Sequence, residues 1–225
     1  MKRHIYSSIA LASFAGPFAM SFESRVYFIQ YLGPVIIAII SIGALYIIWD
    51  IFATRAGHWR FHDETVGTSR ILGLPPGEWL FFLLIPYNCL FIYEVVAFFF
   101  GEGAPVTSLQ WIQFVLASIL AALAILFRNQ GYTFLAMLSG AIYFTASGMF
   151  TPGIIAASGY LLSMMFSFIA FIVVNGLYTS IPTIFYNDEA TLGIRIGTIR
   201  LEDFVYNLSY IGLIYTVYLF SKALL

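Results

Sequence analysis

Seven apolar runs, each close to the length of a membrane-spanning helix, cover most of this 225-residue chain. A helix that crosses the hydrocarbon core of a bilayer needs about 20 consecutive apolar residues. Because lipid offers the backbone no hydrogen-bond partners, such runs form helices or a closed β-barrel, and the alternating pattern of a barrel is absent. We therefore predict an all-α polytopic membrane protein with about seven transmembrane helices. The predicted spans are residues 5–21, 31–53, 79–100, 108–127, 130–149, 154–177 and 204–221.

Composition excludes several other classes of protein. Hydrophobic residues make up 61% of the chain and charged residues only 9%, which is far from the composition of a soluble domain. The net charge of −1 provides no surface for a polyanion, so we expect no nucleic-acid partner. Cys89 is the only cysteine, and no spacing of cysteine and histidine suggests a metal site. Motifs for nucleotide, flavin or prenyl diphosphate are absent as well, so we expect no metal and no cofactor.

A segment of charged and aromatic residues occurs twice, with an offset of 125 residues from Phe61 to Tyr186. The matching pieces are Phe61-His62-Asp63-Glu64 with Tyr186-Asn187-Asp188-Glu189, Arg70-Ile71 with Arg195-Ile196, and Glu78-Trp79-Leu80-Phe81 with Asp203-Phe204-Val205-Tyr206. Over 23 gap-free pairs, five residues are identical and six are conservatively matched. Ionisable groups at a membrane boundary are costly, so their duplication predicts one site shared by two related halves.

The repeat divides the chain into two halves of three spans each, joined by one connecting span. We predict a first repeat over residues 1–101, a connecting helix over 102–128 and a second repeat over 129–225. Equivalent spans are four apart in chain order, an even number, so both halves enter the membrane in the same orientation. The result is a parallel 3+1+3 duplication with a pseudo-twofold axis along the membrane normal.

Basic residues predict the orientation of the protein in the cell membrane. Eight of them lie at the N-terminus or in the loops after spans 2, 4 and 6, whereas only Arg25 and Lys222 lie on the opposite side. The richer side is cytoplasmic, so we expect a cytoplasmic N-terminus, an outside C-terminus and cytoplasmic repeated loops. The first span also resembles a signal peptide, but its counterpart in the repeat favours a retained helix. The eight residues are Lys2, Arg3, Arg55, Arg60, Arg70, Arg128, Arg195 and Arg200.

Three acids lie where the third and seventh spans begin. Glu78 opens the third span, and Glu202 and Asp203 open the seventh. Acids in the first turn of a helix are stabilised by its dipole, so helix capping alone is one interpretation. Proton donation is the other interpretation.

Aromatic residues on the same helical faces favour proton donation. Phe81 and Phe82 lie three and four residues after Glu78, and Tyr206 stands likewise to the acids of the seventh span. A carboxyl group desolvated among aromatic rings favours its protonated form, and the rings stabilise a cation formed beside it. This combination suits protonation of an alkene.

One further polar pair and one single acid accompany these groups. Asp50 and Asn175, at the ends of spans 2 and 6, either bond to loop backbone or support the acids. Glu94, deeper in the third span, is either a second proton-handling group or an acid near the far interface.

The repeated arginines have a structural interpretation. Arg70 and Arg195 are placed to anchor their loops to lipid phosphate, or to Asp63 and Asp188 respectively. We favour this anchoring over a role in chemistry.

Motifs along most of the chain form a specific set. They are Ser21-Phe22-Glu23, Ile48-Trp49-Asp50, Leu74-Pro75, Ile85-Pro86-Tyr87, Tyr93-Glu94, Val174-Asn175-Gly176, Tyr186-Asn187-Asp188-Glu189, Leu192-Gly193-Ile194-Arg195 and Glu202-Asp203-Phe204. Together they resemble the integral-membrane, non-flavin lycopene beta-cyclases, which occur as two small subunits in actinobacteria and as one fused chain in archaea, some other bacteria and fungi.

The resemblance implies closure of the linear end of lycopene into a β-ionone ring, without net redox change and without a cofactor. The partners it implies are a carotenoid dissolved in the bilayer and membrane lipids, and it leaves open a homo-oligomer or an association with other carotenoid enzymes. The residues it implies are catalytic Glu78, Glu202 and Asp203, substrate-binding Trp79, Phe81, Phe82, Phe204 and Tyr206, and supporting Asp50, Asn175, His62, Asn187, Arg70, Arg195 and Glu94.

Two residues depart from the family's acid motifs. Gly77 replaces an acid in the first motif, which would shift proton donation to the second half. Restoring an acid there is then expected to raise activity. Arg200 replaces a proline in the second motif and, beside Glu202 and Asp203, should favour their ionised forms and oppose donation. Which acid donates the proton therefore stays open.

Two other classes of function stay open beside a cyclase. One is a seven-helix carotenoid- or retinoid-binding protein without catalysis, although span 7 lacks a lysine for a Schiff base except Lys222 at its far end. The other is a small-solute transporter, in which buried acids would couple transport to protons.

Overall fold

The computed structural model describes residues 5–181 and 183–224, and within them helices dominate. Helices α1 to α8 are Ile5–Met20, Leu32–Arg55, Asp63–Val66, Pro76–Phe100, Gln110–Leu126, Gly131–Phe150, Ser158–Ser180 and Leu201–Lys222. Strands β1 to β4 are Trp59–Phe61, Ile184–Tyr186, Arg195–Ile196 and Ile199–Arg200. The prediction of an all-α polytopic membrane protein is confirmed.

Six of these helices are long and apolar enough to cross a bilayer: α2, α4, α5, α6, α7 and α8. Helix α1 is shorter, with 16 residues, but it is apolar and packs against α4. The predicted spans agree with the helices to within a few residues at most ends. Lys2 and Arg3, which contribute to the predicted orientation, lie outside the described residues.

The long helices of the two halves follow one another in the same order. Helices α6, α7 and α8 begin 125 or 126 residues after α1, α2 and α4. Helix α1 packs on α4 as α6 packs on α8, whereas α4 packs on α7 and α2 packs on α8. The last helix of each half therefore packs against the second helix of the other half. The boundaries assigned to the two repeats stay a prediction.

The two repeated loops meet at the same end of the helices. Strand β1 pairs antiparallel with β2, and Arg60 lies opposite Phe185, its own counterpart at the offset of 125 residues. The Arg60 guanidinium also lies 5.3 Å from the centre of the Phe185 ring. An antiparallel pair centred on equivalent residues has local twofold symmetry, so the loops cover one shared end of the bundle.

Two prolines each leave one helix carbonyl without its usual backbone hydrogen bond, and a side chain from another helix donates to that carbonyl instead. Pro17 cannot donate to the carbonyl of Ser13, and Asn88 Nδ2 donates to that oxygen instead at 3.2 Å. Pro86 likewise leaves the carbonyl of Phe82 free, and the Tyr210 hydroxyl donates to it at 2.9 Å. These hydrogen bonds join α1 to α4 and α4 to α8.

Candidate active site

A chamber lies beneath the paired loops, and both halves of the chain line it. Its volume, including the space at its mouth, is about 610 Å³. Glu78 and Asp203, which correspond in the repeat, both line it, so the structure brings the two predicted acid positions together. The lining residues are Tyr6, Asp50, Trp59, Glu78, Phe81, Tyr132, Phe171, Asn175, Tyr178, Ile184, Tyr186, Asp203, Tyr206, Asn207 and Tyr210.

In the first half, the chamber acid is Glu78 at the start of α4. The Tyr6 hydroxyl donates to its Oε2 at 2.5 Å, and the carboxyl group is buried, with 6% of the residue exposed. A second carboxyl, that of Asp50 on α2, lines the same chamber and interacts electrostatically with Glu78. Asp50 is 4% exposed, and its Oδ2 has no hydrogen-bond partner among the described residues.

In the second half, Asp203 at the start of α8 accepts hydrogen bonds from three side chains. Tyr132 donates to Oδ1 at 2.7 Å, Tyr186 donates to Oδ2 at 2.9 Å, and Asn175 Nδ2 donates to Oδ2 at 3.3 Å. Burial, followed by the Asp203 charge, raises the pKa of Tyr186, so its hydroxyl remains a donor. Asp203 is thus held mainly as an acceptor.

The tyrosine donors were missed at the sequence level, although a signal for them existed. Tyr6 and Tyr132 each occupy the second position of the first helix of their half, 126 residues apart. At the sequence level, single residues were paired at Asp50 with Asn175 and from position 61 onward, whereas the first helices of the two halves were matched only as whole spans. If the first helices of the two halves are aligned at their starts, the offset becomes 126 residues and Tyr6 pairs with Tyr132. That alignment predicts that both tyrosines contact the duplicated acid.

Glu202 does not line the chamber. Its Oε1 accepts from the Thr133 hydroxyl at 2.7 Å and from the Leu192 amide at 2.6 Å, so it joins α6, α8 and the second loop. Its counterpart is Gly77, against which the ring of Tyr6 packs so closely that a Cβ there would overlap the ring. The space for a side chain at position 77 is therefore already occupied.

Arg200 turns into the second loop. It forms an ion pair with Asp188, donates to the Thr191 hydroxyl at 3.0 Å and lies 5.6 Å from the centre of the Tyr186 ring. The hydrogen bond and charge of Arg200 hold the pKa of the exposed Asp188 carboxyl below its usual range. Its described contacts are thus with the loop, while both acids beside it in sequence bond to other groups.

Two of the five aromatic residues assigned to substrate binding line the chamber, namely Phe81 and Tyr206. Phe82 is fully buried in the helix interface and packs edge-on against Tyr210 at 5.5 Å. The other two, Trp79 and Phe204, are not among the lining residues.

Trp79 and Phe204 contact neighbouring elements instead. The indole of Trp79 donates to the carbonyl of Ile71 at 3.3 Å. The ring of Phe204 packs edge-on against Phe171 at 5.3 Å. Because Phe171 itself lines the chamber, Phe204 supports the lining from behind.

The predicted loop residues organise the loops that cover the chamber. Asn187 Oδ1 accepts from the Glu189 amide at 3.0 Å, and the His62 amide donates to the carbonyl of Thr183 at 2.9 Å. The latter bond crosses from the first loop to the second. His62 and Asn187 therefore hold loop backbone rather than line the chamber.

The repeated arginines bond differently in the two loops. Arg70 forms an ion pair with Asp63, as one of the predicted alternatives has it. Arg195 donates to the carbonyl of Thr198 at 3.0 Å, and Asp188 is bound by Arg200 instead.

Glu94 lies near the other end of α4, 16 residues after Glu78, or about 24 Å along the helix axis. It accepts from Lys222 Nζ at 2.6 Å and from the Tyr218 hydroxyl at 2.7 Å. This buried ion pair joins α4 to α8 at that end, so Glu94 is remote from the chamber.

Aromatic residues make up most of the chamber lining. Tyr132 stacks on Tyr186 at 5.8 Å, and Trp59 packs edge-on against Tyr132 at 5.0 Å. No lysine, arginine or histidine occurs among the described residues that line it. A cation formed in this space would lie among several aromatic rings and three carboxyl groups, those of Asp50, Glu78 and Asp203.

Both halves of the chain match one protein family. A family model described as lycopene cyclase matches residues 3–96 and again residues 129–221, and so leaves out the connecting helix α5. Searches of curated proteins and of solved structures gave no match.

Proposed function

The chain belongs to the lycopene cyclase family, and we propose that it closes the linear end group of a C40 polyene into a β-ionone ring. The reaction is initiated by acid, is redox-neutral and takes place on a carotenoid dissolved in the membrane. The observation that carries the proposal is the pair of counterpart carboxyls, Glu78 and Asp203, facing one aromatic chamber, each with a tyrosine donor.

The proton donor in this proposal is the Glu78–Asp50 pair. Two carboxyls buried near each other cannot both ionise without a compensating cation, and none lines the chamber in the described part of the chain. The pair therefore holds a proton inside the bilayer. The Tyr6 hydroxyl, which donates to Glu78 Oε2, leaves the other oxygen of Glu78 to carry the proton toward the substrate.

The proton acceptor is Asp203. Three donors, Tyr132, Tyr186 and Asn175, converge on its two oxygens. Such donors stabilise a carboxylate in place of water, which is the form that removes a proton. The same charge stabilises the cation between the two proton transfers.

The two acids then complete a balanced reaction. The Glu78 carboxylic acid protonates the terminal double bond of the end group and leaves a tertiary cation. The neighbouring double bond attacks that cation and closes the ring, which moves the positive charge onto a ring carbon. Asp203 removes a proton next to that carbon and restores a double bond. One proton is added and one is removed, so the product is an isomer of the substrate.

The aromatic lining keeps the cation from being captured as an alcohol. Phe81, Tyr206 and Trp59 line the chamber, and such rings exclude water and stabilise a cation that forms beside them. Burial of the acids has the same effect. We expect elimination rather than hydration to end the reaction.

Expression in cells that accumulate lycopene tests the proposal. We expect the red pigment to become yellow to orange, with products that have the mass of lycopene and the absorption of cyclised end groups. Unchanged red pigment that purifies with the protein would point to the carotenoid-binding alternative. Unchanged pigment without binding, together with proton-coupled solute uptake, would point to the transporter.

The orientation is part of the same proposal. Since the two loops meet through β1 and β2, reporters fused in residues 56–75 and 183–200 should lie on one side of the membrane. The basic residues favour the cytoplasm for that side and the outside for the C-terminus. Reporters on opposite sides would contradict both the orientation and the strand pairing.

A further inference from the structure

We infer that the polyene chain of the substrate lies in an apolar groove between α1, α4 and α7, while only its end group enters the acid chamber. The inference rests on the proposed function and adds the path by which a long hydrocarbon reaches the acids. The groove is lined by Ser13, Pro17, Phe81, Ile85, Asn88, Cys89, Ile92, Ser167, Ala170, Phe171, Val174, Asn175 and Asn207.

The groove and the chamber are continuous. Phe81, Phe171, Asn175 and Asn207 line both. Asn207 is 5% exposed, and its Nδ2 has no hydrogen-bond partner among the described residues. The two spaces therefore meet at a junction of two aromatic rings and two amides, one helical turn from Asp203.

The length of the groove suits an extended chain. On α4 its lining runs from Phe81 to Ile92, and the chamber continues the path back to Glu78, so chamber and groove together follow α4 over 14 residues. At 1.5 Å per residue this is about 21 Å, or more than half of the ~30 Å hydrocarbon core. A substrate in this position points its reacting end at the acids and its chain across the membrane.

Polar atoms along the groove are mostly engaged by the protein. Asn88 Nδ2 donates to the Ser13 carbonyl that Pro17 leaves free, whereas Asn88 Oδ1 has no hydrogen-bond partner among the described residues. The Ser167 hydroxyl bonds to the Tyr215 hydroxyl at 2.9 Å. Isoleucine, valine, alanine and phenylalanine side chains supply most of the remaining surface, which suits hydrocarbon and not a polar ligand.

The equivalent space in the other half is filled. The counterparts of Phe171 and Ile85 at the offset of 125 residues are Tyr46 and Tyr210, whose rings pack at 4.6 Å. Tyr46 donates to the Ser209 hydroxyl at 2.8 Å, and both tyrosines are almost fully buried. The duplication thus retains an open groove beside α7 and a closed interface beside α2.

A tryptophan scan of the groove tests the inference, with a control on the matching helix. Ala170 lines the groove on α7, and its counterpart Leu45 on α2 is 60% exposed, toward lipid. We expect Ala170→Trp to lower conversion of the C40 polyene roughly tenfold or more, because a bulky side chain fills the path. Leu45→Trp should convert it like the unchanged protein.

A second variant measures the length of the path and does not depend on the first variant folding. Ile92 lies at the groove end remote from the chamber acids Glu78 and Asp203. Ile92→Trp should lose conversion of the C40 polyene but keep conversion of a shorter acyclic polyene with the same end group. Retained activity on the shorter substrate also shows that the variant is folded.

The outcomes separate the groove from the proposed function. If Ile92→Trp and Ala170→Trp both convert the C40 polyene at the unchanged rate, the groove is not the path, although the cyclase stands. Equal loss of both substrates by folded Ile92→Trp would also overturn the groove. Failure of the unchanged protein to convert either substrate would instead overturn the proposed function.

Discussion

In the first half of the chain Glu78 faces a second carboxyl, that of Asp50, whereas in the second half Asp203 faces the amide of Asn175. Both acids open the last helix of their half, and both accept from a tyrosine of the first helix. The two acids occupy equivalent positions in the repeat, whereas the neighbour is an acid in one half and an amide in the other. This difference, together with the donor Tyr186, whose counterpart is Phe61, separates a pair that holds a proton from a carboxylate surrounded by donors.

A second difference lies one residue before each acid. The first half has Gly77, covered by a tyrosine ring, and the second has Glu202, bonded to Thr133 and to the amide of Leu192. The adjacent acids Glu202 and Asp203 therefore have different roles in the second half, because only Asp203 lines the chamber. The halves have diverged in their supports while they share one cavity.

The largest effect is expected from removing the titratable proton at the chamber acids. Glu78→Gln and Asp203→Asn keep size and much of the hydrogen bonding, but each should lower cyclisation by ~10²- to 10⁴-fold, as the loss of a general acid or base does. The measurement is cyclised product formed per amount of folded protein.

Glu202→Gln is the matched control for these amide variants. Its carboxyl is buried and bonded outside the chamber, so it should cost about 1–3 kcal/mol of stability with little change in the chemical step. A folded but inactive Glu202→Gln, beside an active Asp203→Asn, would reverse the roles assigned to the two acids.

The next effect tests the difference between Asp50 and Asn175 directly. Asp50→Asn gives the first half the amide of the second, so Glu78 loses the neighbour that makes the pair hold a proton. We expect Asp50→Asn to lower cyclisation by about 10²-fold, the lower end of the range for a missing general acid. Asp50→Glu, which keeps a carboxyl, should lower cyclisation less. Product formation and thermal unfolding are measured together.

Equal loss in Asp50→Asn and Asp50→Glu, with unchanged stability, would mean that the carboxyl of Asp50 takes no part in holding the proton. Unchanged activity of Asp50→Asn would mean that Glu78 acts alone. Either result would remove the proposed difference between a proton-holding pair in the first half and a carboxylate in the second.

Much of this arrangement could be predicted from the sequence because membrane helices and duplicated ionisable residues leave strong signals. Apolar length alone located the helices, and the offset of 125 residues placed Glu78 and Asp203 at equivalent helix starts. Asp50 and Asn175 were recognised as a pair from the same offset, and both line the chamber.

The parts that sequence could not supply depend on the direction of single side chains. Adjacent residues at a helix start point about 100° apart, so the sequence alone does not say which of Glu202 and Asp203 enters the chamber. Arg200 was expected to act on these acids, but its long side chain reaches the exposed Asp188. The phenol donors Tyr6 and Tyr132 are two of the chain's 15 tyrosines, so composition did not distinguish them.

A smaller, graded effect should follow removal of the phenol donors. In the described structure Glu78 accepts a side-chain hydrogen bond from Tyr6 alone, whereas Asp203 keeps Tyr186 and Asn175 when Tyr132 is changed. A hydrogen bond to a charged or strongly polar carboxyl is worth ~1.5–3 kcal/mol, so Tyr6→Phe should cost roughly 10- to 100-fold. Tyr132→Phe should cost only a few-fold, by the same measurement of product. A larger loss in Tyr132→Phe would place the more sensitive acid in the second half.

The smallest effect concerns Gly77, where the sequence alone suggested that adding an acid would raise activity. A Cβ at this position overlaps the ring of Tyr6, so even Gly77→Ala should displace the phenol from Glu78, and Gly77→Glu should not be a gain. The loss in Gly77→Ala should not exceed that of Tyr6→Phe, because the same hydrogen bond is affected. In the Tyr6→Phe background Gly77→Ala should therefore cost little further activity, which is the non-additivity expected of residues in contact.

Gly16→Ala is the control for this variant. Gly16 is a helical glycine with open space around its Cβ position, so the Gly16→Ala protein should convert substrate normally. Additive losses in the double variant, or higher activity of Gly77→Glu, would show that position 77 acts on the reaction independently of Tyr6.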